Sequence, residues 1–242
     1  MDKILIDADS VRFFVNPPRN DKCAIYLEAV KRAYGDMSRR TLHFGSEKYK
    51  GQSKKAEESR QVLRDKIVDL LLKEESKLFA FRSSRSFNIW HKKMCKKVSD
   101  IFTTCDESGV VPINATPEGE TDPSVRNSTF SMGQAQKVVN MVWKYVFVFY
   151  QYFNALNETD YVSELDSFKR IIPLLHAPID SKVIEAATSV GRDYSLKCTK
   201  PKWPWSQLNY CEYKKFQNDI RNKLKKKGQC PFLWELENFP FE

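Results

Sequence analysis

Apolar residues recur at helical spacing over most of the chain and alternating segments are few, so the pattern predicts a mainly α-helical, multi-helix globular fold. Helices are expected from Ala24 to about Tyr34 and from about Ala56 to Phe81. In the second, Val62, Ile67, Leu70, Leu71, Leu78 and Phe81 lie broadly on one face and Arg64, Lys66, Lys73 and Lys77 lie outside it. A basic loop punctuated by glycine, GSEKYKGQSKK, joins them. Ser86 is placed to cap a third helix whose apolar face is Ile89, Trp90, Met94, Val98, Ile101 and Phe102, with Lys92, Lys93, Lys96 and Lys97 around it. From Thr103 to Ser131 no period survives. This stretch is expected to be a long loop between an N-terminal helical region, 1–102, and a C-terminal one, 132–242, or a link within one two-lobed domain.

The strongest single signal is FSMGQAQKVVNMVWKYVFVFYQYF, Phe130 to Phe153. Ala135, Val138, Val139, Val142, Val146, Phe149 and Phe153 follow the helical period, and Met141, Tyr145, Phe147 and Val148 make the later turns apolar nearly all round. Such a helix belongs at the centre of a fold. Its start nevertheless carries Gln134, Gln136, Lys137 and Asn140, and a lysine in a first turn faces the positive end of the helix dipole, which calls for an anion or a chemical role. Further on, a helix is expected over Ser163 to Leu175, bent or ended by Pro173, and another after Asp180, whose side chain can cap SKVIEAATSV before a stop at Gly191. Trp203 and Trp205 sit in a rigid proline-bounded turn. Tyr213, Phe216, Ile220 and Leu224 mark a last helix rich in lysine, and the tail CPFLWELENFPFE is expected to cross the core as a coil through Phe232, Trp234 and Phe239.

Charge changes the picture. With 40 Lys and Arg against 31 Asp and Glu the chain carries +9, and its isoelectric point is near 9.1, which favours a polyanionic partner. A length of 242 residues at 41% hydrophobic suffices for an independent core. Lys144 interrupts the longest apolar run and MDKILIDADS lacks a basic stretch followed by an apolar one, so neither a membrane span nor a secretion signal is expected. An intracellular protein is expected, cytoplasmic if bacterial, with a nuclear location left open. The six cysteines form no CxxC pair, so free thiols are expected and no metal site. The sequons at Asn114, Asn127 and Asn157 matter only in a secretory protein.

Two motifs belong together. GQAQK places a glycine four residues before Lys137, and HAPIDSKVI, from His176 to Ile184, puts Pro-Ile-Asp at a helix start. Together they resemble the helix-hairpin-helix DNA glycosylase superfamily, in which a Gly-x-Gly-x-Lys hairpin opens the helix carrying a catalytic lysine and a Pro-Val-Asp segment supplies a catalytic aspartate. Ala135 stands where the second glycine is usual, and the resemblance covers about 50 residues, Ser131 to Ile184.

The resemblance implies a helix-hairpin-helix-like element leading into the central helix, with Gly133 in the place of the first glycine and Lys137 and Asp180 in the catalytic roles. It implies removal of a modified or damaged base from duplex DNA, with or without Schiff-base strand cleavage, by a monomer that needs no cofactor. A lysine nucleophile must be neutral when it attacks, and a carboxylate can stabilise the positive sugar as the base leaves. Base flipping requires a pocket and stacking groups, for which Trp90, Trp203, Trp205 and Phe232 are candidates. Gln134, Gln136 and Asn140 are candidates to read base edges or phosphates, His91 to reach the ligand, and Lys96 and Lys97 to hold phosphate. Two rival readings remain: a non-enzymatic nucleic-acid-binding protein, in which Lys137 and a helix N-terminus only hold phosphate, and a helical interaction protein whose charge serves solubility.

Overall fold

The computed structural model describes residues 18–44, 53–103, 110–112, 130–156, 161–190 and 195–239. Its elements are helices α1 (Lys22–Thr41), α2 (Ser53–Ala80), α3 (Ser84–Thr103), α4 (Met132–Ala155), α5 (Val162–Ile171), α6 (Ser181–Thr188), α7 (Tyr210–Lys225) and α8 (Pro231–Asn238). A short antiparallel ribbon pairs β1 (Leu42–Phe44) with β2 (Val110–Pro112). The mainly helical class expected from periodicity is what is found. Most of the basic loop after α1, most of the stretch expected as the long loop, and the expected stop at Gly191 lie outside the described residues.

Helix α4 is the axis of the molecule. Every residue from Gly133 to Tyr150 is buried, because α1 and α3 cover two of its sides while α5 and the turn at Trp205–Gln207 close others. One core cluster joins α1 to α5 with Phe232 and Leu236 of α8, and a second gathers Ala177, Ile179, α6, α7 and Trp234. Two adjacent glutamates of α2 tie the first cluster together. Glu75 accepts from the hydroxyls of Tyr26 (2.7 Å) and Tyr150 (2.9 Å), and Glu74 accepts from the Trp90 indole at 3.0 Å and from Lys97 at 2.8 Å. These donors hold the Glu74 carboxyl down at about 2 despite its burial.

Several local expectations change. The coil expected for the tail is a helix, α8: Pro231 sits at its first position, where a fixed φ costs nothing, and Phe232, Trp234, Glu235 and Leu236 are buried. Ser86 does not cap α3. Ser83 does, its hydroxyl accepting the Ser86 amide, so Ser86 belongs to the first turn. Val62 and Ile89, expected on core faces, are half exposed, since each lies at the edge of its helix's apolar stripe. Beyond Ile171 the chain tightens into a 3-10 turn at Ile172–Leu174 that includes Pro173.

Candidate active site

Lys137 is the sixth residue of α4, in its second turn and not its first, so the pull of the helix dipole on it is weak. The first turn is satisfied internally: Ser131 and Gln134 form a capping box, with the Ser131 hydroxyl accepting the Gln134 amide (3.0 Å) and the Gln134 side chain accepting the Ser131 amide (2.8 Å). Gln134 is therefore engaged in the cap, not in an open groove.

Gly133 lies inside that first turn and not in a hairpin ahead of it. A Cβ there would stand 2.0 Å from the Trp205 carbonyl oxygen and 3.2 Å from the Leu208 amide, so the glycine allows the Trp205–Gln207 turn to lie flush on the helix. The Ser131 hydroxyl also donates to the Ser206 carbonyl. Gly133→Ala is expected to destabilise the protein by about 1–3 kcal/mol, because the clash is with backbone and outweighs alanine's better helix propensity. Thermal unfolding checks it, and tryptophan fluorescence should report the displaced Trp205.

Gln136 works as a strand neighbour would. Its amide donates to the Ile179 carbonyl (2.7 Å) and accepts from the Ile179 N–H (3.1 Å), locking the segment that leads to Asp180 against α4. Its amide nitrogen also bonds the Gly133 carbonyl at 2.8 Å. That clamp puts the two motif residues together: Lys137 Nζ donates to Asp180 Oδ2 at 3.0 Å, with the lysine side chain 9% exposed and the aspartate 21%. Asp180 Oδ1 accepts the Val183 amide at 2.9 Å as the cap of α6. Capping and ion pairing use different oxygens of one carboxylate. The Trp205 ring lies 5.2 Å from Lys137 Nζ, a cation–π contact from a half-exposed indole.

Sequence reading missed the wall behind this pair. Tyr145, on α4, donates to Asp36 of α1 at 2.7 Å, and Lys144 donates to Glu235 of α8 at 2.8 Å and to the Phe239 carbonyl at 2.5 Å. Of the charged side chains on this side of α4, Lys137, Lys144 and Glu235 are buried and Asp36 and Asp180 partly so, and the two lysines pull the carboxyls of Asp36 and Glu235 downward. Burial raises the Asp36 carboxyl and pushes that of Glu235 up to about 7 against the pull of Lys144. The i, i+7 spacing of Lys137 and Lys144 was legible as two lysines on one helical stripe; their partners were not.

The other candidates are placed differently. His91 is fully buried, its Nε2–H donating to Asn140 Oδ1 (2.9 Å) and its Nδ1 facing the Tyr210 hydroxyl (3.3 Å), so it packs inside the fold. Asn140 also faces the Tyr213 hydroxyl at 2.9 Å and Gln136 Oε1 at 3.1 Å. Trp90 and Phe232 are core residues, 7% and 1% exposed, whereas Trp203 and Trp205 are half exposed. Lys96 and Lys97 lie on the surface, already paired with Asp100 (3.0 Å) and Glu74 (2.8 Å). Among the described residues no group of three or more His, Cys, Asp or Glu is arranged to hold a metal, no helix is long and apolar enough to cross a membrane, and Cys23, Cys95, Cys198, Cys211 and Cys230 are free thiols.

The buried histidines set an acid limit. Burial lowers His91 to about 4 and His176, whose Nδ1 meets the Tyr213 hydroxyl at 2.8 Å, well below its usual range. In the unfolded chain both take a proton near pH 6.5. Below that the unfolded state binds more protons, and stability falls by at most about 1.4 kcal/mol per pH unit for each histidine. Glu235 has the opposite sign: folded, it keeps a proton that the unfolded chain releases above about pH 4.3, and the raised Asp36 carboxyl acts in the same direction. Two histidines against one glutamate leave a net loss between pH 6.5 and 5. Glu235→Gln should steepen it, as urea unfolding across that range would measure.

No protein-family model, no curated protein and no solved structure matches the chain.

Proposed function

We propose that the protein is a DNA glycosylase that removes a modified base from duplex DNA, with Lys137 as nucleophile and Asp180 as its carboxylate partner. The observation that carries this reading is the 3.0 Å contact between an amine and a carboxylate that are 43 positions apart, on two segments clamped by Gln136. Asp180 is placed to take the proton that Lys137 must lose. The amine then attacks C1′ as the bond from C1′ to the base nitrogen breaks, and the base leaves with that bond's electron pair and takes a proton. Opening of the sugar ring converts the C1′ adduct into a Schiff base, from which the 3′ phosphate can be eliminated. The resemblance of GQAQK and HAPIDSKVI to the helix-hairpin-helix glycosylases supports the same assignment.

Lys137 as a mere phosphate contact is less well supported, because its side chain is 9% exposed and its charge already meets a carboxylate. Phosphate contacts belong on the exposed lysines of α3 and α7. DNA affinity is expected to fall steeply with salt, and Lys92→Ala with Lys93→Ala should flatten that dependence more than Lys96→Ala with Lys97→Ala, whose charges Asp100 and Glu74 already hold. Removing one lysine–phosphate interaction should change the log–log slope by about 0.9.

The decisive experiment presents duplexes carrying different modified bases, scores abasic sites, and adds borohydride to trap a covalent adduct. Release of a base with a trapped adduct supports the reading. Absence of DNA binding at low salt, or of base release across the panel and of any adduct with an abasic duplex, refutes it.

A further inference from the structure

Trp205 reaches Lys137 from a backbone that is held in place. Gly133 and Lys137 are four residues apart, so they share one face of α4, a turn from each other. The Trp205–Gln207 turn lies flush on Gly133, where a Cβ would stand 2.0 Å from the Trp205 carbonyl oxygen. The Ser131 hydroxyl donates to the Ser206 carbonyl, the Gln207 N–H donates to the Pro204 carbonyl at 2.9 Å, and Leu208, 1% exposed, anchors the end of the turn. Pro204 restricts the backbone just before the indole. From this footing the ring centroid sits 5.2 Å from Lys137 Nζ, while the same Nζ donates to Asp180 Oδ2 at 3.0 Å. Trp203, two residues earlier and also half-buried, faces the exposed Lys202 at 5.2 Å. The two indoles of one loop therefore have different partners, a surface lysine for one and the lysine of the candidate site for the other.

We propose that Trp205 is a positioning residue for Lys137, its ring confining the amine to the Asp180 side and shielding it from water. The inference rests on the glycosylase reading, to which it adds a residue that acts through the nucleophile. A lysine stem is flexible, so one contact with a carboxylate leaves the amine free to swing toward solvent. The face of an indole attracts an ammonium and is broad enough to block that swing. Attack on C1′ requires the amine within about 3–3.5 Å of the carbon, and a misplacement of about 1 Å can cost a hundredfold in rate. Small reagents that modify amines need only access. Removing the ring should therefore move two readouts in opposite directions, which neither a purely structural residue nor a passive screen would do.

The test combines reductive methylation by formaldehyde and cyanoborohydride, read at each lysine by mass spectrometry, with the rate of the borohydride-trapped adduct at saturating abasic duplex. In Trp205→Ala, methylation of Lys137 is expected to rise about threefold or more, and the adduct rate to fall about tenfold with DNA affinity little changed. Trp205→Phe keeps a ring face and should restore most of both. Trp203→Ala should leave Lys137 methylation at the wild-type level, since that ring faces Lys202. Lys144, paired with Glu235 in the core, reports on the integrity of the fold, and its methylation should not rise. An adduct rate that is unchanged or faster in Trp205→Ala overturns the inference, the second outcome making the ring only a screen. So does methylation of Lys144 rising with that of Lys137, an equal rise at Lys137 in Trp203→Ala, or a phenylalanine that rescues neither readout, each of which marks a structural role. A wild-type protein that forms no adduct with the abasic duplex sinks the glycosylase reading and the positioning role with it; a normal wild-type adduct left intact by Trp205→Ala sinks the role of Trp205 alone.

Discussion

Lys137→Gln is expected to reduce the borohydride-trapped adduct to background and base release by about a hundredfold or more, while DNA affinity changes little. The adduct requires an amine, and glutamine has none. Affinity is spared because the lysine is 9% exposed and its charge is spent on Asp180, so it contributes little to phosphate binding in the first place. Asp180→Asn provides the matching result. Its retained oxygen can still accept the Val183 amide and cap α6, so folding and binding should survive, yet the proton acceptor and the negative charge beside the sugar are gone. A Lys137→Gln protein releasing base at the wild-type rate would remove the nucleophile and leave only a water-using reaction centred on Asp180. Full activity in both variants would dismiss the pair as the site.

The largest stability effect should come from Lys144→Ala. Lys144 and Glu235 are 3% and 4% exposed and 2.8 Å apart, and removing one member of a buried pair typically costs about 3–5 kcal/mol. For a chain of this size that corresponds to roughly 10 °C or more in melting temperature. The loss also depends on pH. Glu235, already pushed up to about 7, can escape by taking a proton, so the variant should lose more at pH 8 than at pH 6. Lys144→Met combined with Glu235→Leu should recover most of the stability, because the isolated charge and not the missing bond dominates the cost. Calorimetry at the two pH values decides it; an equal loss at both would mean that Glu235 stays charged without its partner.

The sequence by itself determined much of this protein: periodicity set the helical class, the burial of the later turns of α4 on nearly all sides and the apolar stripe of Tyr213, Phe216, Ile220 and Leu224, and residue type set the cap at Asp180 and the turn at Pro173. These features depend on residues three or four apart, and the chain states such spacings directly. The pairing of Lys137 with Asp180 was suggested by motif order, but its geometry was not, since the partners are 43 positions apart and lie on segments that Gln136 joins through the backbone of Ile179. Polar residues at the start of α4 looked like surface available to a ligand. Tertiary packing instead turned Gln134 into a cap, Gln136 into a clamp and Asn140 into the hub of a buried network with His91 and Tyr213. The tail misled because prolines and aromatics resemble a coil when their burial is unknown, whereas docking against α4 and α7 stabilises a helix of only 8 residues and delivers Glu235 to Lys144, 91 positions away. Local pattern sets which segments become helices; which oxygen meets which amine depends on contacts that no local spacing encodes, because each buried charge takes whatever partner the packed core brings within reach.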